Sequence, residues 1–548
     1  MWQLRRLSKA AGRWLTVPWA IRRTGIAALV ALCLVAWVDD PLASLLPRTP
    51  IPAVAGLRCD TTTYAAPSVP AATSTRYVDG TSGSDAADGL TAGTAWKTLE
   101  KIAANAVAGR EFLCWGTFNN QQFFPAAGTN GTATDKIVMK KRPGFSWTVT
   151  DGPLGDFVFV FYGIDHWVLD GVSMDATVAD DYGIIVGQGS TFIWIRNSTY
   201  RDFSDLNFNN APDCRIEDCV IDDVGDAVSN SGDGLFVQNG SHRLVVARNT
   251  ITNCGHMAIT IGGYQSAGEA TCDDCVVVGN LVNNVRAGGI AMNGKANRTI
   301  VECNDVWGTG TAEVSAGAGT KNGIVVEGTN NLVRYNRVWG GDSAAIHMQA
   351  LIFASFTEAC TGNEVYHNTL FSNRGAPLKM VVSSSLNANT VLANNLIQNN
   401  LGWKNNETAD EPGDFFESVY WDIWIDLFGA GTVWTAGTIG GNHFKNNRFS
   451  RGAADPDGGW VLIVRTAGAG NNLKYTLAQF ESTYPNVSSN VDSGDPLFVS
   501  EVTPDLHLQA TSPVIDDGVI IAGVEYEGAA PDLGAFEGGT TLALRIGV

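Results

Sequence analysis

An asparagine that recurs at one position of a short pattern constrains this chain more than any other sequence feature. Between residues 240 and 400, the pattern is an aliphatic residue, two variable residues, Asn, one variable residue and a second aliphatic residue. An early copy has Cys219 in the Asn position, and a late copy has Asn447 there. Because one such repeat cannot bury its aliphatic side chains alone, the pattern predicts a solenoid of stacked coils. The six copies are Val246-Asn249-Ile251, Val277-Asn280-Val282, Val301-Asn304-Val306, Val333-Asn336-Val338, Val365-Asn368-Leu370 and Leu392-Asn395-Ile397.

A second aliphatic position follows the Asn at a fixed distance. It comes ten residues later at Ile259, Ile290, Ile346 and Leu378, and ten residues later still, at Ile324, in the Asn304 copy. The constant spacing predicts parallel strands in register, about 4.8 Å apart. We expect the asparagines to form an internal ladder at a bend, since stacked amides satisfy one another and Asn tolerates the left-handed conformation.

Both ends of this region resemble the secreted right-handed β-helix proteins of the pectate-lyase-like superfamily. At the N-terminal end the resemblance rests on residues 77–85 (YVDGTSGSD) and 95–101 (AWKTLEK), and at the C-terminal end on residues 495–498 (DPLF) and 531–537 (PDLGAFE). The resemblance implies an all-β chain, a single-stranded right-handed parallel β-helix with an N-terminal helical cap, followed by a strand at residues 109–119. It covers residues 76–537 and is weak for chemistry, because this superfamily holds lyases, hydrolases, epimerases, phage tail proteins and adhesins.

The N-terminal region has the pattern of a targeting segment. Residues 1–23 carry six basic and no acidic side chains, and the apolar residues 24–38 are followed by Asp39 and Asp40. This order of charges predicts export, with the apolar run either a cleaved signal or an uncleaved membrane anchor. We therefore divide the chain into a signal or anchor region (1–38), a Pro/Ala/Thr linker (39–75), the β-helix (76–480) and closing coils with a tail (481–548).

Charge and cysteine content exclude several classes of protein. The formal net charge of −19 argues against a nucleic-acid partner, because phosphate binding needs clustered Lys and Arg. Ten cysteines are present, but Cys272 and Cys275 form the only Cys-x-x-Cys pair, so a zinc ribbon is not predicted. We expect the cysteines to be buried or disulfide-bonded. The predicted partner is a polysaccharide, bound if acidic through a local basic patch or a bridging cation.

The second strand also predicts where chemistry can occur. If the aliphatic residue points inward, the residues one and three positions later point outward. On neighbouring coils these positions hold His347 and Lys379 in one row and Asn293, Glu327 and Gln349 in the other. The turn before the strand supplies four more polar residues that follow the Asn by six or seven positions: His256, Arg286, Asp342 and Arg374.

This face fits the needs of β-elimination on a uronate sugar. Elimination requires a base, a cation for the sugar carboxylate and an acid for the leaving oxygen. We assign the base to Lys379, the carboxylate clamp to Arg374, and the acid or a substrate contact to His347. We place Glu327 in the same groove and expect Asn293, Gln349 and Asp342 to contact substrate. The competing interpretation is a solvated strand face on a non-catalytic glycan-binding protein, adhesin or phage-tail-like protein.

Two further interpretations remain open. A glycoside hydrolase needs two carboxylates, for which Glu327 and Asp342, or Asp233, are candidates.

Calcium is a candidate cofactor, with Asp222, Asp223 and Asp226 as ligands, although acidic turns are often only solvated.

Residues 414–434 interleave aromatic and acidic residues. Trp421 and Trp424 there could stack on sugar rings or form a small core beneath a loop.

Overall fold

The computed structural model shows a mostly β chain in which long parallel sheets are stacked coil on coil, as in a β-helix. It describes residue 64 and residues 68–151, 157–176, 182–204, 206–225, 232–263, 269–310, 321–353, 356–357, 359–383, 391–405, 422–426, 440–451, 461–464, 473–492, 494–524, 526 and 528–537. The predicted signal or anchor at residues 24–38 lies outside these ranges. No helix in the described ranges is long and apolar enough to cross a membrane.

Each full coil contributes one strand to each of three sheets, which we call the first, second and third sheet in chain order. The strand Arg110–Asn119 runs through both the first and the second sheet. The other strands of the first sheet are Ser74–Asp79, Ile137–Lys141, Trp167–Asp170, Trp194–Arg196, Arg215–Glu217, Val245–Ala247, Val276–Val278, Ile300–Glu302, Leu332–Arg334, Glu364–Tyr366, Leu396–Gln398, His443–Lys445 and Val487–Ser488. Those of the second sheet are Trp147–Thr150, Ser173–Asp175, Thr199–Arg201, Val220–Asp222, Thr250–Thr252, Leu281–Val285, Asp305–Thr309, Arg337–Trp339, Thr369–Phe371, Leu401–Trp403 and Arg448–Ser450.

The third sheet carries the candidate site. Its parallel strands are Phe157–Tyr162, Tyr182–Gly187, Leu206–Asn209, Leu235–Gln238, Ile259–Ile261, Ile290–Met292, Ile324–Val326, Ile346–Phe353, Leu378–Ser383, Ile423–Asp426 and Val461–Val464. Leu473–Tyr475 closes its C-terminal end in an antiparallel pairing, and Phe356–Thr357 pairs antiparallel with the end of Ile346–Phe353. Two short parallel pairs lie between the main sheets: Cys272–Asp273 with Ala296–Asn297, and Ala359–Thr361 with Val391–Ala393.

The predicted inward positions form the core. Ile259, Ile290 and Ile324 pair in register on successive coils, and each is fully buried. The alternation of a pleated strand then turns the residue after each aliphatic to the outer face. Stacking therefore builds one continuous apolar column through the described coils.

The asparagine ladder is present and in register. The side-chain Nδ2 of Asn249 donates to Oδ1 of Asn280 over 3.0 Å, and the Nδ2 of Asn280 donates to Oδ1 of Asn304 over 2.9 Å. The ladder continues through Asn336 and Asn368, and all five side chains are fully buried. Each amide satisfies polar groups that a tight bend would otherwise leave without partners inside the core.

One predicted copy, Leu392-Asn395-Ile397, was assigned to the wrong ladder. Asn368 donates to Asn400, not to Asn395, and Val365 pairs with Ile397. Asn395 belongs to a second ladder that starts five residues earlier on each coil and runs through Asn331, Asn363, Asn395 and Asn442. The short pattern matches Asn395 because Leu392 and Ile397 fill its two aliphatic positions, whereas Gly402 stands in the second aliphatic position after Asn400.

The prediction that the ladder asparagines adopt the left-handed conformation is wrong. The residue that precedes each ladder asparagine adopts it instead. Arg248, Cys303 and Tyr335 have φ angles of 54°, 60° and 57°, and each directly precedes a ladder Asn. The bend is therefore made by the preceding residue. The Asn itself is free to direct its amide inward along the solenoid.

Two short α-helices lie near the ends of the described coils. Helix α1 (Leu99–Ala104) buries Leu99 and Ile102 in the main core and precedes the strand Arg110–Asn119, which the sequence predicted at residues 109–119. The 3-10 helix Ala92–Thr94 lies just before it. Helix α2 (Leu477–Thr483) buries Phe480 in the same core. The function of α1 as a cap stays a prediction.

The C-terminal segment packs on the outside of the second sheet. Its antiparallel hairpin, Phe498–Ser500 with Asp505–Leu508, contributes Phe498 to a cluster with the outward side chains Phe371 and Trp403. The backbone N–H of Gly534 donates to the carbonyl of Asn399 over 3.0 Å. Ile521 and Val524 of the same segment pack on a cluster that includes the first-sheet residues Ala247 and Val278, so the segment covers parts of the first and second sheets.

Candidate active site

His347 and Lys379 lie in register on adjacent strands of the third sheet, as the spacing predicted. His347 pairs with Val325 on the preceding coil and with Lys379 on the next, and Lys379 pairs in turn with Trp424. Their chain neighbours Ile346 and Leu378 point into the core. The two side chains therefore leave the same outer face one strand spacing apart, about 4.8 Å.

His347 is held by Asn322, which the sequence did not identify. The amide Nδ2 of Asn322 lies 2.7 Å from Nδ1 of His347, and its Oδ1 accepts the backbone N–H of Ala344 over 3.1 Å. Because Ala344 N–H can only donate, it fixes the amide so that Nδ2 donates to His347. The imidazole therefore accepts at Nδ1 and carries its proton at Nε2.

The Nε2 of His347 is a buried donor that has no hydrogen-bond partner among the described residues, although only 4% of the residue is exposed. Burial, and then the charge of Lys379, hold the pKa of His347 well below its ordinary value. The side chain is thus a neutral N–H donor. Such an unsatisfied group costs about 1–3 kcal/mol, which a bound acceptor would recover.

Glu327 and Gln349 form a buried polar pair in the second outward row. Gln349 Nε2 donates to Glu327 Oε1, and Glu327 Oε2 accepts the backbone N–H of Gly294 over 2.9 Å. Asn293, the preceding residue in that row, donates from Nδ2 to the carbonyl of Gly263. The structure therefore brings Asn293, Glu327 and Gln349 onto neighbouring coils, with Glu327 1% exposed.

Arg374 forms a salt bridge with a carboxylate of the same chain. Its Nη1 lies 3.0 Å from Oδ1 of Asp342, and Nζ of Lys321 lies 3.6 Å from Oδ2 of the same carboxylate. These three residues lie in the turns that lead into the third sheet. The predicted roles of Arg374 as a carboxylate clamp and of Asp342 as a substrate contact stay predictions.

A second histidine on this side of the solenoid is paired with an acid. His256 Nδ1 lies 2.6 Å from Oδ1 of Asp233, and that oxygen also accepts the backbone N–H of Met257 over 3.2 Å. Burial lowers the pKa of His256, but the hydrogen bond and charge of Asp233 outweigh burial and raise it. Asp233 and Asn322 both lie two residues before the inward aliphatic residue of a third-sheet strand. His256 donates a hydrogen bond to Asp233, whereas His347 accepts one from Asn322.

The predicted calcium ligands are partly described. Asp222 accepts hydrogen bonds from Thr252 Oγ1 (2.6 Å) and Asn253 Nδ2 (2.7 Å) and pairs with Arg201. Burial raises the pKa of Asp222, but these hydrogen bonds and Arg201 lower it overall. Within the described ranges no group of three acidic, His or Cys side chains could hold a metal, and Asp226 lies outside them. The calcium site stays a prediction.

The aromatic insertion is mostly outside the described residues, as is Trp421. Trp424 is on the strand Ile423–Asp426, where its backbone pairs with Lys379 and Leu462. A separate cavity of about 370 Å³ lies farther along the third sheet, lined in part by Phe124, Tyr162 and Gln188.

The strand pairings define the fold class. The stacked parallel sheets form a parallel β-helix, the fold that the repeat and the end motifs predicted. No family model and no curated protein matches the sequence.

Solved structures with a similar fold include a pectate lyase, an epimerase and a biosidase. Pectate lyase Pel9A is 14% identical, with 85% of this chain and 97% of that chain covered and a TM-score of 0.46. The A-module of the Azotobacter vinelandii mannuronan C-5 epimerase AlgE6 is 11% identical, with coverages of 72% and 95% and a TM-score of 0.36. A lacto-N-biosidase from Eubacterium ramulus is 14% identical, with coverages of 72% and 67% and a TM-score of 0.39. At these identities the likeness concerns the fold alone.

Proposed function

We propose that the protein is an exported polysaccharide lyase that cleaves an acidic glycan by β-elimination at the outer face of the third sheet. One observation carries the proposal: the unsatisfied Nε2–H of His347 and the amine of Lys379 leave the same face on adjacent strands. An amine can act as the base of an elimination, and a hydrogen-bond donor beside it can stabilise the charge that grows on the sugar carboxylate.

The reaction assigns one task to each group. In its neutral form Lys379 takes the proton from the carbon beside the sugar carboxylate, and the freed electron pair forms a carbon–carbon double bond. The glycosidic carbon–oxygen bond breaks, and its oxygen leaves with a proton supplied by solvent or by the Lys379 ammonium. His347 donates from Nε2 to the carboxylate oxygen on which negative charge grows. Because His347 is already neutral, it stabilises that oxygen without a change of protonation.

Hydrolysis is less well supported by the described carboxylates. Asp342 is bound by Arg374 and Lys321, and Glu327 is buried beneath Gln349 and the backbone of Gly294. A pair of carboxylates on opposite sides of a glycosidic bond needs both groups facing the substrate. The competing class is a non-catalytic glycan-binding protein, which would use the same face without chemistry.

A lyase assay separates these classes. We expect the purified protein to generate the ultraviolet absorbance of an unsaturated uronate from at least one of alginate, pectate and glycosaminoglycans. Lys379→Gln should lower kcat/KM by about 10²–10⁴-fold, because it removes the base. Lys445→Gln, which removes a lysine from the first sheet, is the matched control and should keep wild-type activity.

Glycan binding without absorbance across the panel would favour the non-catalytic class. Full activity of Lys379→Gln would remove this residue from the mechanism and leave the fold assignment intact.

A further inference from the structure

We propose that Arg286 forms a second glycan subsite, which binds an oxyanion of the sugar chain three coils away from Lys379. The proposal rests on the proposed function, since it assumes that a glycan lies along this side of the solenoid. It adds a binding residue that the reaction itself does not require.

Arg286 occupies a row of turn residues defined by one repeating backbone hydrogen bond. Its N–H donates to the carbonyl of Cys254, and on the next coil the N–H of Gly310 donates to the carbonyl of Val285. The same bond recurs at Asp342 and Arg374 farther along. The counterparts of Arg286 on the two adjacent coils are therefore Gly255 and Gly310, which have no side chain to pair with it.

Among the described residues, no carboxylate forms an ion pair with the guanidinium of Arg286. Its Nε is buried without a hydrogen-bond partner. By contrast, Arg374 in the same row pairs with Asp342 over 3.0 Å. A half-buried arginine left unpaired in a chain with 55 acidic and 36 basic residues indicates an anionic partner from outside.

A second unsatisfied donor lies close by in the fold. Thr260 points outward from the third sheet on the preceding coil, is 1% exposed, and has no hydrogen-bond partner for Oγ1 among the described residues. On that coil the carbonyl of His256 accepts the N–H of Ala287, the residue after Arg286. The planar guanidinium of Arg286 suits a carboxylate or a sulfate, and the Thr260 hydroxyl on the preceding coil is a further donor on this side of the solenoid.

Its spacing from the proposed catalytic residues fits a polymer. The coils of Ile290, Ile324, Ile346 and Leu378 follow one another in register, so Arg286 and Lys379 belong to coils three steps, or about 14 Å, apart. One glycan chain that crosses these coils would present successive charged sugars to both positions.

Binding measurements with the full chain test the subsite. We would compare wild type and Arg286→Gln on polygalacturonate, on a sulfated glycan and on carboxyl-reduced polygalacturonate, which is neutral. We expect Arg286→Gln to weaken binding of the uronate, the sulfated glycan or both by about tenfold or more, and to leave the neutral polymer unchanged. Arg286→Lys, which keeps the charge, should lose less.

The matched control is Arg243→Gln, which removes an arginine that pairs with Asp213 elsewhere on the solenoid. It should bind all three polymers as wild type does. Equal affinity of wild type and Arg286→Gln for both anionic polymers, or an equal loss on the neutral polymer, would overturn the subsite. If wild type bound no glycan and cleaved none across the lyase panel, the proposed function itself would fail.

Discussion

The environment of one histidine decides what chemistry it can perform. His347 and His256 lie on the same side of the solenoid, but the first accepts a hydrogen bond from the amide of Asn322 and the second donates to the carboxylate of Asp233. An amide leaves the imidazole neutral, whereas a carboxylate favours the imidazolium. We therefore assign His347 as a donor that does not titrate during the reaction.

The low pKa of His347 predicts an acid-dependent loss of stability. In the unfolded chain a histidine binds a proton below about pH 6.5, whereas folded His347 resists protonation. The contribution of His347 to the free energy of unfolding is therefore complete above pH 6.5. Below that pH it falls by about 1.4 kcal/mol per pH unit. Chemical denaturation between pH 8 and pH 5 should show a shallower loss for His347→Gln than for wild type.

Asn119→Ala, which removes an exposed side chain that does not titrate, is the control and should keep the wild-type slope. Parallel profiles for wild type and His347→Gln would contradict a neutral buried imidazole.

At the scale of strands and turns, the sequence predicted the inward column and the register of His347 with Lys379. It did so because strand spacing is fixed by backbone hydrogen bonds while loops vary. The pattern selected Asn395 in place of Asn400, because Asn395 has aliphatic residues at both pattern positions whereas Asn400 is followed by Gly402 at the second. It also gave no signal for Asn322, because that residue follows an irregular insertion and acts through a three-dimensional contact.

Substitution of a ladder asparagine should lower the free energy of unfolding by a large amount. Asn336 accepts at Oδ1 from the backbone N–H and the Nδ2 of Asn304, and its own Nδ2 donates to the carbonyl of Val301. Asn336→Ala strands several buried polar groups at about 1–3 kcal/mol each, so we expect a loss of at least about 3 kcal/mol in urea unfolding.

The exposed Asn119, whose side chain lies outside the ladders, provides the comparison. Asn119→Ala should change the free energy of unfolding by less than about 0.5 kcal/mol. A similarly small change for Asn336→Ala would mean that the ladder contributes register and not stability.

For the molecule as a whole, the buried thiols report on the integrity of the solenoid. Among the described residues, seven free cysteines are buried: Cys114, Cys214, Cys219, Cys254, Cys272, Cys275 and Cys360. Cys303 is disulfide-bonded. The prediction of buried or disulfide-bonded cysteines is thus confirmed for these eight residues. Burial raises the pKa of Cys214 and of Cys219 to about 12, so their thiolates are scarce at neutral pH.

Thiol labelling should therefore follow unfolding of the coils. At pH 8 we expect the seven thiols to resist a small disulfide reagent in the native protein and to react together across the urea transition. Val502→Cys, at a position that is 94% exposed, should add one thiol that reacts at once. Rapid native labelling of any of the seven would indicate that its coil opens locally.

The ladder spacing also limits how a chain like this can change length. Asn304, Asn336, Asn368 and Asn400 are each 32 residues apart, and the second ladder has the same interval from Asn331 through Asn363 to Asn395. Because both asparagine ladders repeat every 32 residues here, a duplication or deletion of 32 residues adds or removes one whole coil. Both ladders then keep their register. A change of half that size would leave amides facing apolar side chains. Gene duplication would thus lengthen the third sheet in whole coils, with the two ends of the molecule unchanged.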